Sequence, residues 1–378
     1  MKDIFRKQNI LIGLFLLMLG ITACTPQESF GVEGATENAT ETCESPSAEN
    51  TEKSTLEIHF LNVGQGDATL IKCGGQSMLI DAGPAEAGTK LQLYLMEQGI
   101  EELDYLVLTH PDADHIGGGD VIVTKYDIGT VFMGDYEKEG ANYEELVNAL
   151  AYKNEKYTLP KVGSTYQLGE AEFTILAPNQ IYEDANNNSI ALLLTHGENT
   201  ILFTGDCKSE AESDIMSNGL NIDCDVYKVA HHGSGSSSSK EFLEAISPQA
   251  AVISCGANDY GHPHEEVLNS LKEMGVAVYR TDEQGDVVVC SDGNYLTWNC
   301  QPSQTWHAGE NVLSDVDAMG DSLAAMVTQD YIIANKKSGV FHKSTCKGLP
   351  AEGNRILFET KEKAIESGFS NPCNYCRP

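Results

Sequence analysis

The chain has 378 residues, 41% of them hydrophobic, with 24 Lys and Arg set against 56 Asp and Glu, a formal net charge of −32. This length and hydrophobic share exclude global disorder and allow two domains, or one large domain with an appendage. The charge excludes long-range attraction of nucleic acid to the body of the chain unless metal ions or a local basic patch reverse it.

Lys2, Arg6 and Lys7 open the chain, and an apolar run follows from Ile10 to Ile21. The run is too short for a comfortable membrane span and has the make-up of a signal-peptide core. It ends in Ile21-Thr22-Ala23-Cys24, which resembles a bacterial lipobox, in which Cys24 is lipidated and becomes the new N-terminus. A plain secretory signal or a short anchor is the alternative. Residues 25–54 are rich in Glu, Thr, Ser, Asn and Ala and hold few large apolar side chains. Such a segment buries too little surface to offset its ordering entropy, so it reads as a disordered tether. The chain is then expected on the extracellular face of the bacterial cytoplasmic membrane, held by lipid.

From residue 56 to about 298, short apolar strands alternate with helices. LEIHFLNV reads as a strand, GQGD as a turn, and ATLIKC and QSMLIDAG continue a meander. KLQLYLMEQGI has helical period and stops at Gly99. LDYLVLTH is a buried strand with THPDADHIGGG at its end. GTVFMG, EFTILAP, SIALLLTHGENTILFTGD, CDVYKVAHHGS, QAAVISCG, VAVYRTDEQGDVVVC and YLTWNC read as later strands. The helices NYEELVNALAYKN, KEFLEAI and EEVLNSLKEM lie between them. This order predicts an α/β fold with two sheets between helical layers, an αββα sandwich over residues 55–300. Residues 301–328 read as a linker and 329–378 as a separate small module.

Ligand-grade side chains gather at the ends of these strands. In HPDADH, His110 and Asp112 are two positions apart and can point the same way, while Asp114 and His115 can point to a neighbouring spot. That is a geometry for two adjacent cations; a polar turn with a proline is the plain reading. Asp81 ends MLIDAG, Asp206 ends ILFTGD, and His231 and His232 end VYKVAHH. Gly64 and Gly66 permit close backbone approach in NVGQGDA, from which Gln65 and Asp67 can reach the rim of the site. GSGSSSS, from Gly233 to Ser239, offers either amides and hydroxyls to a phosphate or a serine cap for the next helix. His196, in THGENT, is expected on an exposed hairpin turn.

In this order, Asp81, HPDADH, TGD and HHGS resemble the metallo-β-lactamase fold superfamily. FLNVGQGDATLI, LIDAG, THPDADHIGG, FTGD, KVAHHGS and YGHPHEEVL are further similar to the extracellular domain of ComEC/Rec2-type DNA-uptake proteins, over roughly residues 55 to 300. The resemblance implies that His110 and Asp112 bind one metal, that Asp114, His115 and His232 bind a second, and that Asp206 bridges both. It implies that Asp81 orients a ligand from behind, a supporting place that the turn reading also gives Asp67. His231 is expected to face substrate or support the ligands, and His264 or His262 to pass a proton to the leaving group. A capped turn is the other reading of that last pair. Two departures from the superfamily pattern matter. Asp112 stands where a second histidine is usual, and Asn186 to Ser189 (NNNS) stand where another histidine is expected. More oxygen and less imidazole shifts the preference from Zn toward Mn or Mg.

Cysteine usage is divided. Of 11 cysteines, Cys24 is assigned to lipid, and Cys346, Cys373 and Cys376 have metal spacing with His342. Cys43, Cys73, Cys207, Cys224, Cys255, Cys290 and Cys300 show no disulfide framework, and buried free thiols are an equal reading. His342 with three cysteines makes a closed tetrahedral set, the usual structural Zn arrangement, and a short module with little core would draw folding energy from it. Two disulfides are the alternative. This α+β tail resembles the small metal-binding domain of the Ada-type alkylation-repair protein. His342 replaces that family's first cysteine, which argues against methyl acceptance. The tail holds eight Lys and Arg against five Asp and Glu, a locally basic patch on an acidic chain, the charge pattern of a weak DNA clamp.

The leading expectation is a lipid-anchored, metal-dependent phosphodiesterase, a nuclease that cuts DNA by attack of metal-bound hydroxide on phosphorus. It would need two divalent cations (Mn, Mg or Zn) in the hydrolase site and one structural Zn in the tail. A DNA-uptake channel is a candidate partner. A choline-phosphate or teichoic-acid phosphoesterase, and a non-catalytic DNA-capture lipoprotein related to competence, are the alternatives.

Overall fold

The computed structural model describes residues 55–136, 138–309 and 331–378. The signal, Cys24, the tether and most of the linker lie outside the described residues. Strands β1 (Leu56–Phe60), β2 (Thr69–Cys73) and β3 (Gln76–Ile80) form an antiparallel meander. After α1 (Gly88–Glu97), β4 (Glu102–Leu108) joins β3 in parallel. Helices α2 (Ala113–Ile116) and α3 (Gly119–Lys125) lead to β5 (Asp127–Met133), and α4 (Ala141–Lys153) leads to the short β6 (Tyr157–Thr158).

The second sheet opens with antiparallel β7 (Thr165–Leu168), β8 (Ala171–Ala177), β9 (Ala191–His196) and β10 (Asn199–Phe203). It then turns parallel through α5 (Ser209–Ser217), β11 (Val226–Lys228), α6 (Lys240–Ile246), β12 (Ala250–Ile253), α7 (Glu265–Met274) and β13 (Ala277–Arg280). Past α8 (Thr281–Gln284), β14 (Val287–Ser291) and β15 (Leu296–Trp298) return to the first sheet. The strand orders are β15-β14-β1-β2-β3-β4-β5-β6 and β13-β12-β11-β10-β9-β8-β7.

Alternation builds the layers, since neighbouring strand residues face opposite sides. Ile58, Phe60, Met78 and Val107 from one sheet meet Phe173, Leu192, Ile201 and Val226 from the other in a central core. Leu79, Leu106 and Leu108 turn outward under Leu91, Leu95, Ile122 and Leu146 of the helices. The opposite outer face packs Leu202, Tyr227 and Ala251 against Ile215, Phe242 and Leu268. These are the four layers the sequence predicts. Among the remaining cysteines, Cys207, Cys224 and Cys255 are buried free thiols.

One expectation fails here. His196 is buried, not exposed, with Nδ1 2.9 Å from Ser291 Oγ. Its hairpin does not project into solvent, because the backbone of Glu198 donates to Gly293 O at 2.7 Å and ties the turn to the end of β14.

The tail forms its own sheet from β16 (Ile332–Asn335), β17 (Val340–Lys343), β18 (Arg355–Phe358) and β19 (Asn371–Pro372), with α9 (Lys361–Glu366) beside it. Phe341, Ile356, Phe358 and Phe369 pack together around Val121 of α3. The buried Gln92 of α1 mimics a strand neighbour: its Nε2 donates to Leu357 O at 2.5 Å and its Oε1 accepts from Leu357 N at 3.0 Å. Lys336 Nζ reaches Asp120 at 2.9 Å and Glu145 at 3.2 Å, with the Lys336 and Asp120 side chains both largely buried. Gln92→Ala leaves both Leu357 backbone groups unpaired and is expected to lower stability by about 2–4 kcal/mol. Urea unfolding, with proteolysis between the sandwich and the tail as a second readout, checks it.

Candidate metal centre

The parallel strands carry their C-terminal ends to one rim, and the buried polar residues gather there. Asp81 follows β3 in the left-handed region, with φ 58°. Its Oδ1 accepts from Thr109 N at 2.8 Å, and its Oδ2 accepts from Thr109 Oγ1 at 2.7 Å. The same Oδ2 lies 2.7 Å from His115 Nδ1. A carboxylate so placed fixes the His115 tautomer and leaves Nε2 free to ligate. His110 is held likewise, its Nδ1 3.1 Å from Thr109 Oγ1, and its buried Nε2 has no hydrogen-bond partner.

Asp206, on the turn after β10, sits among the imidazoles. Its Oδ1 is 3.2 Å from His115 Nε2, and its Oδ2 is 3.7 Å from the Nε2 atoms of His110, His231 and His232. His232 Nε2 stands 3.2 Å from Asp114 Oδ2 and 3.3 Å from His115 Nε2, while its Nδ1 meets Ser254 O at 2.9 Å. Asp112 Oδ2 lies 3.9 Å from His110 Nε2. The residues read as ligands of two cations are therefore brought together, with Asp206 between them.

The electrostatics fit cations. The buried Asp206 is held well below the carboxylate range: burial opposes ionisation, and His115, His232 and His110 overcome it. Burial, then His115, pushes His110 down to about 4, so its lone pair is available at pH 7. Five carboxylates (Asp67, Asp81, Asp112, Asp114 and Asp206) meet two ammonium groups. Lys138 lies on Asp112, and Lys228 on Asp67 at 2.8 Å. Hard cations suit this oxygen-rich set, and His110 Nε2 and Asp206 Oδ1 are buried atoms that no hydrogen bond satisfies.

Asp67 lies closer in than the sequence places it. Asp67, His115, Asp206 and His232 offer donor atoms all within 4.8 Å of one another. Lys228 and Lys138 are additions that motif reading missed. A charged residue inside the apolar run VYKVA signalled Lys228; Lys138 stands in no motif. The turn bearing Asp67 docks on the metal turn, where Asp67 N donates to Asp114 O at 3.1 Å. A Cβ at Gly66, φ 145°, would come within 2.4 Å of that same oxygen. Gly66→Ala is expected to push Asp114 aside, cutting metal affinity by on the order of 10–100-fold with a lowered melting temperature; metal titration checks it.

Two expected helpers are placed differently. His264 stands at the N-cap position of α7 without a side-chain bond to that helix, and both its nitrogens meet backbone groups, Gly235 N at 2.8 Å and Tyr260 O at 3.0 Å. His262 is nearer, its ring centroid 5.3 Å from that of His231, with a buried Nδ1 that lacks a partner. Burial, then His231 and His232, holds it at about 4, so it is neutral at pH 7. In GSGSSSS, Ser239 caps α6 by accepting from Phe242 N, while the Ser238 and Ser239 amides bind the Glu212 carboxylate. The capping reading is realised there.

A second cluster stands in the tail. His342, on β17, and Cys346, Cys373 and Cys376 have donor atoms within 4.8 Å of one another, and all three cysteines are free thiols. Three thiols with one imidazole match a closed Zn site. His342 Nδ1 is buried without a partner.

Residues 61–257 match the model of the metallo-β-lactamase superfamily, and the chain belongs to that superfamily. Its similarity runs further to ComE operon protein 3 of Bacillus subtilis, at 31% identity over 61% of this chain and 32% of that protein. Recombination protein 2 of Haemophilus influenzae is 33% identical over 63% of this chain and 29% of its own length. Competence protein ComA of Neisseria gonorrhoeae is 34% identical over 59% and 30%. The match thus spans about a third of each relative's length. Among solved structures, the metallo-β-lactamase fold protein YhfI of Bacillus subtilis aligns over 62% of this chain and 100% of its own, with 15% identity and a TM-score of 0.44.

Proposed function

We propose that this centre holds two divalent cations and hydrolyses phosphodiesters, with DNA as the substrate, at the outer face of a membrane to which Cys24 is lipid-anchored. The observation that carries the reading is Asp206, whose two oxygens face the histidines of both positions while His110 Nε2 is buried with nothing to bond. His110 and Asp112 would hold one ion, Asp114, His115 and His232 the other, and Asp206 both. Bound there, the ions would lower the pKa of water and neutralise charge on the phosphoryl oxygens.

The chain's own residues orient and balance this site. Asp81 sets the His115 ring, Ser254 sets His232, and Lys228 anchors Asp67. Lys138 is half-buried and reaches Asp112 from the rim, where it can approach a phosphate oxygen. The names of the competence and recombination relatives favour DNA, and so does the basic tail. In this reading the tail carries one structural Zn on His342, Cys346, Cys373 and Cys376 and clamps the strand weakly. The cut DNA passes to a separate uptake channel or is scavenged.

The test uses the whole chain stripped of metal, resupplied with Mn, Mg or Zn, on single- and double-stranded DNA and on bis-p-nitrophenyl phosphate. Metal-dependent cutting of DNA that Asp114→Ala abolishes is the expected result. Cleavage of the small diester with DNA untouched would move the assignment to a cell-wall phosphoesterase. Binding of DNA with no hydrolysis would leave a capture protein.

A pH dependence follows from the same geometry. Burial alone would lower His115 and His232, but the Asp206 carboxylate overrides it and raises both. A raised histidine is protonated below its pKa, so at low pH cations compete with these protons. Metal affinity should climb as pH rises through and above neutrality, with protons released; calorimetry in buffers of different ionisation enthalpy checks it.

A further inference from the structure

We infer that His231 is a metal ligand of the first cation position, taking the place of the histidine the chain lacks at Asn186. The inference rests on the two-cation reading above. Three donors face that position: His110, Asp112 and the shared Asp206. His231 Nε2 adds a fourth. It stands 3.7 Å from Asp206 Oδ2, the same separation as His110 Nε2 from that oxygen. Donors about 2.1 Å from one ion lie roughly 3–4 Å from one another, and the separations of His110 and His231 from Asp206 fall in that range.

The ring is set for ligation. His231 Nδ1 faces Ser236 Oγ at 3.4 Å and Ser237 Oγ at 3.5 Å, which turns Nε2 toward Asp206. Hydroxyls behind one nitrogen of a ligating imidazole fix its orientation in this way. This gives the serine run a use beyond its helix cap. Asn186 lies on the other side, its side-chain amide 3.3 Å from His231 Nε2. The residue at the missing histidine's place therefore touches the group that replaces it.

The backbone gives an independent argument. His231 and His232 have φ values of 53° and 54°, two consecutive non-glycine residues in the left-handed region. Each such residue costs on the order of 1–3 kcal/mol and persists only where the surroundings impose it. In an extended strand, neighbouring side chains point to opposite faces, and one histidine would leave the site. The left-handed turn instead keeps both Nε2 atoms 3.7 Å from the same oxygen of Asp206. A substrate-facing residue would not need that equivalence; a pair of ligands to adjacent ions would.

The test is titration of Mn(II) into the metal-stripped whole chain, read by calorimetry and by the electron paramagnetic resonance of an exchange-coupled pair. Asparagine tolerates a left-handed backbone, so His231→Asn is the variant of choice, with His231→Gln as its replacement if thermal melting shows it unfolded. Wild type should take two ions and give the coupled signal. The variant should keep one ion at unchanged affinity, weaken the other by about 100-fold or more, and lose the coupled signal. Adding Asn186→His to it should restore both. A His231 variant that binds two ions with wild-type affinity and signal overturns the assignment and leaves the two-cation reading standing. A wild type that binds fewer than two overturns both.

Discussion

Asp206→Ala should abolish hydrolysis, lowering kcat by on the order of 1000-fold or more, with both cations weakened together. The reason is position. Asp206 is buried, and its oxygens lie 3.2 to 3.7 Å from the Nε2 atoms of His110, His115, His231 and His232. Removing it leaves those imidazoles without their shared counter-charge and deletes the group that joins the two positions. Asp206→Asn separates charge from shape: it fills the same space and should still lose most activity. Initial rates on bis-p-nitrophenyl phosphate and metal counting on the same samples check both. Retained turnover in either variant would place the chemistry elsewhere.

Cys373→Ser should unfold the tail while the sandwich survives. The module's own core is small, built mainly from Phe341, Ile356, Phe358 and Phe369. A structural Zn on cysteine and histidine contributes folding free energy of about 10 kcal/mol or more at neutral pH, which this core and its contacts with α1 and α3 do not replace. The expected result is loss of one equivalent of zinc and rapid proteolysis within the tail. A resistant fragment retaining the 55–309 region should remain, because the sandwich cores do not draw on the tail. Unchanged zinc content and unchanged protease resistance would contradict the assignment of the cluster.

Much of this centre was legible because the chain repeats one physical device. A buried strand must shed its polar residues at its ends, so Asp81, His110, Asp206 and His232, each after an apolar run, emerge on one rim. The parallel crossings turn that linear order into a cluster. Asp67 and Lys228 were harder. Asp67 is delivered by a hairpin turn, whose depth depends on how closely Gly66 lies against Asp114, a tertiary fact. Lys228 sits inside a strand that composition marks as core, and its pairing with Asp67 crosses between the two sheets. His262 and His264 could not be told apart by spacing; only the turn's path shows that His264 is occupied by backbone and His262 is not. His196 was misread because a Gly-containing hairpin looks exposed, whereas this one docks on β14. The docking of the tail was invisible for a similar reason. Gln92 and Thr89 look like solvent-facing helix residues, yet Gln92 bonds both backbone groups of Leu357 and Thr89 Oγ1 reaches Arg355 O at 3.1 Å.

The most direct measurement of the central claim is anomalous diffraction at the Mn and Zn edges from crystals of the chain grown with both metals. Two peaks flanking Asp206, between His110 and His232, with a separate Zn peak among His342, Cys346, Cys373 and Cys376, is the result expected. A centre with no peak beside Asp206 at saturating metal would contradict it.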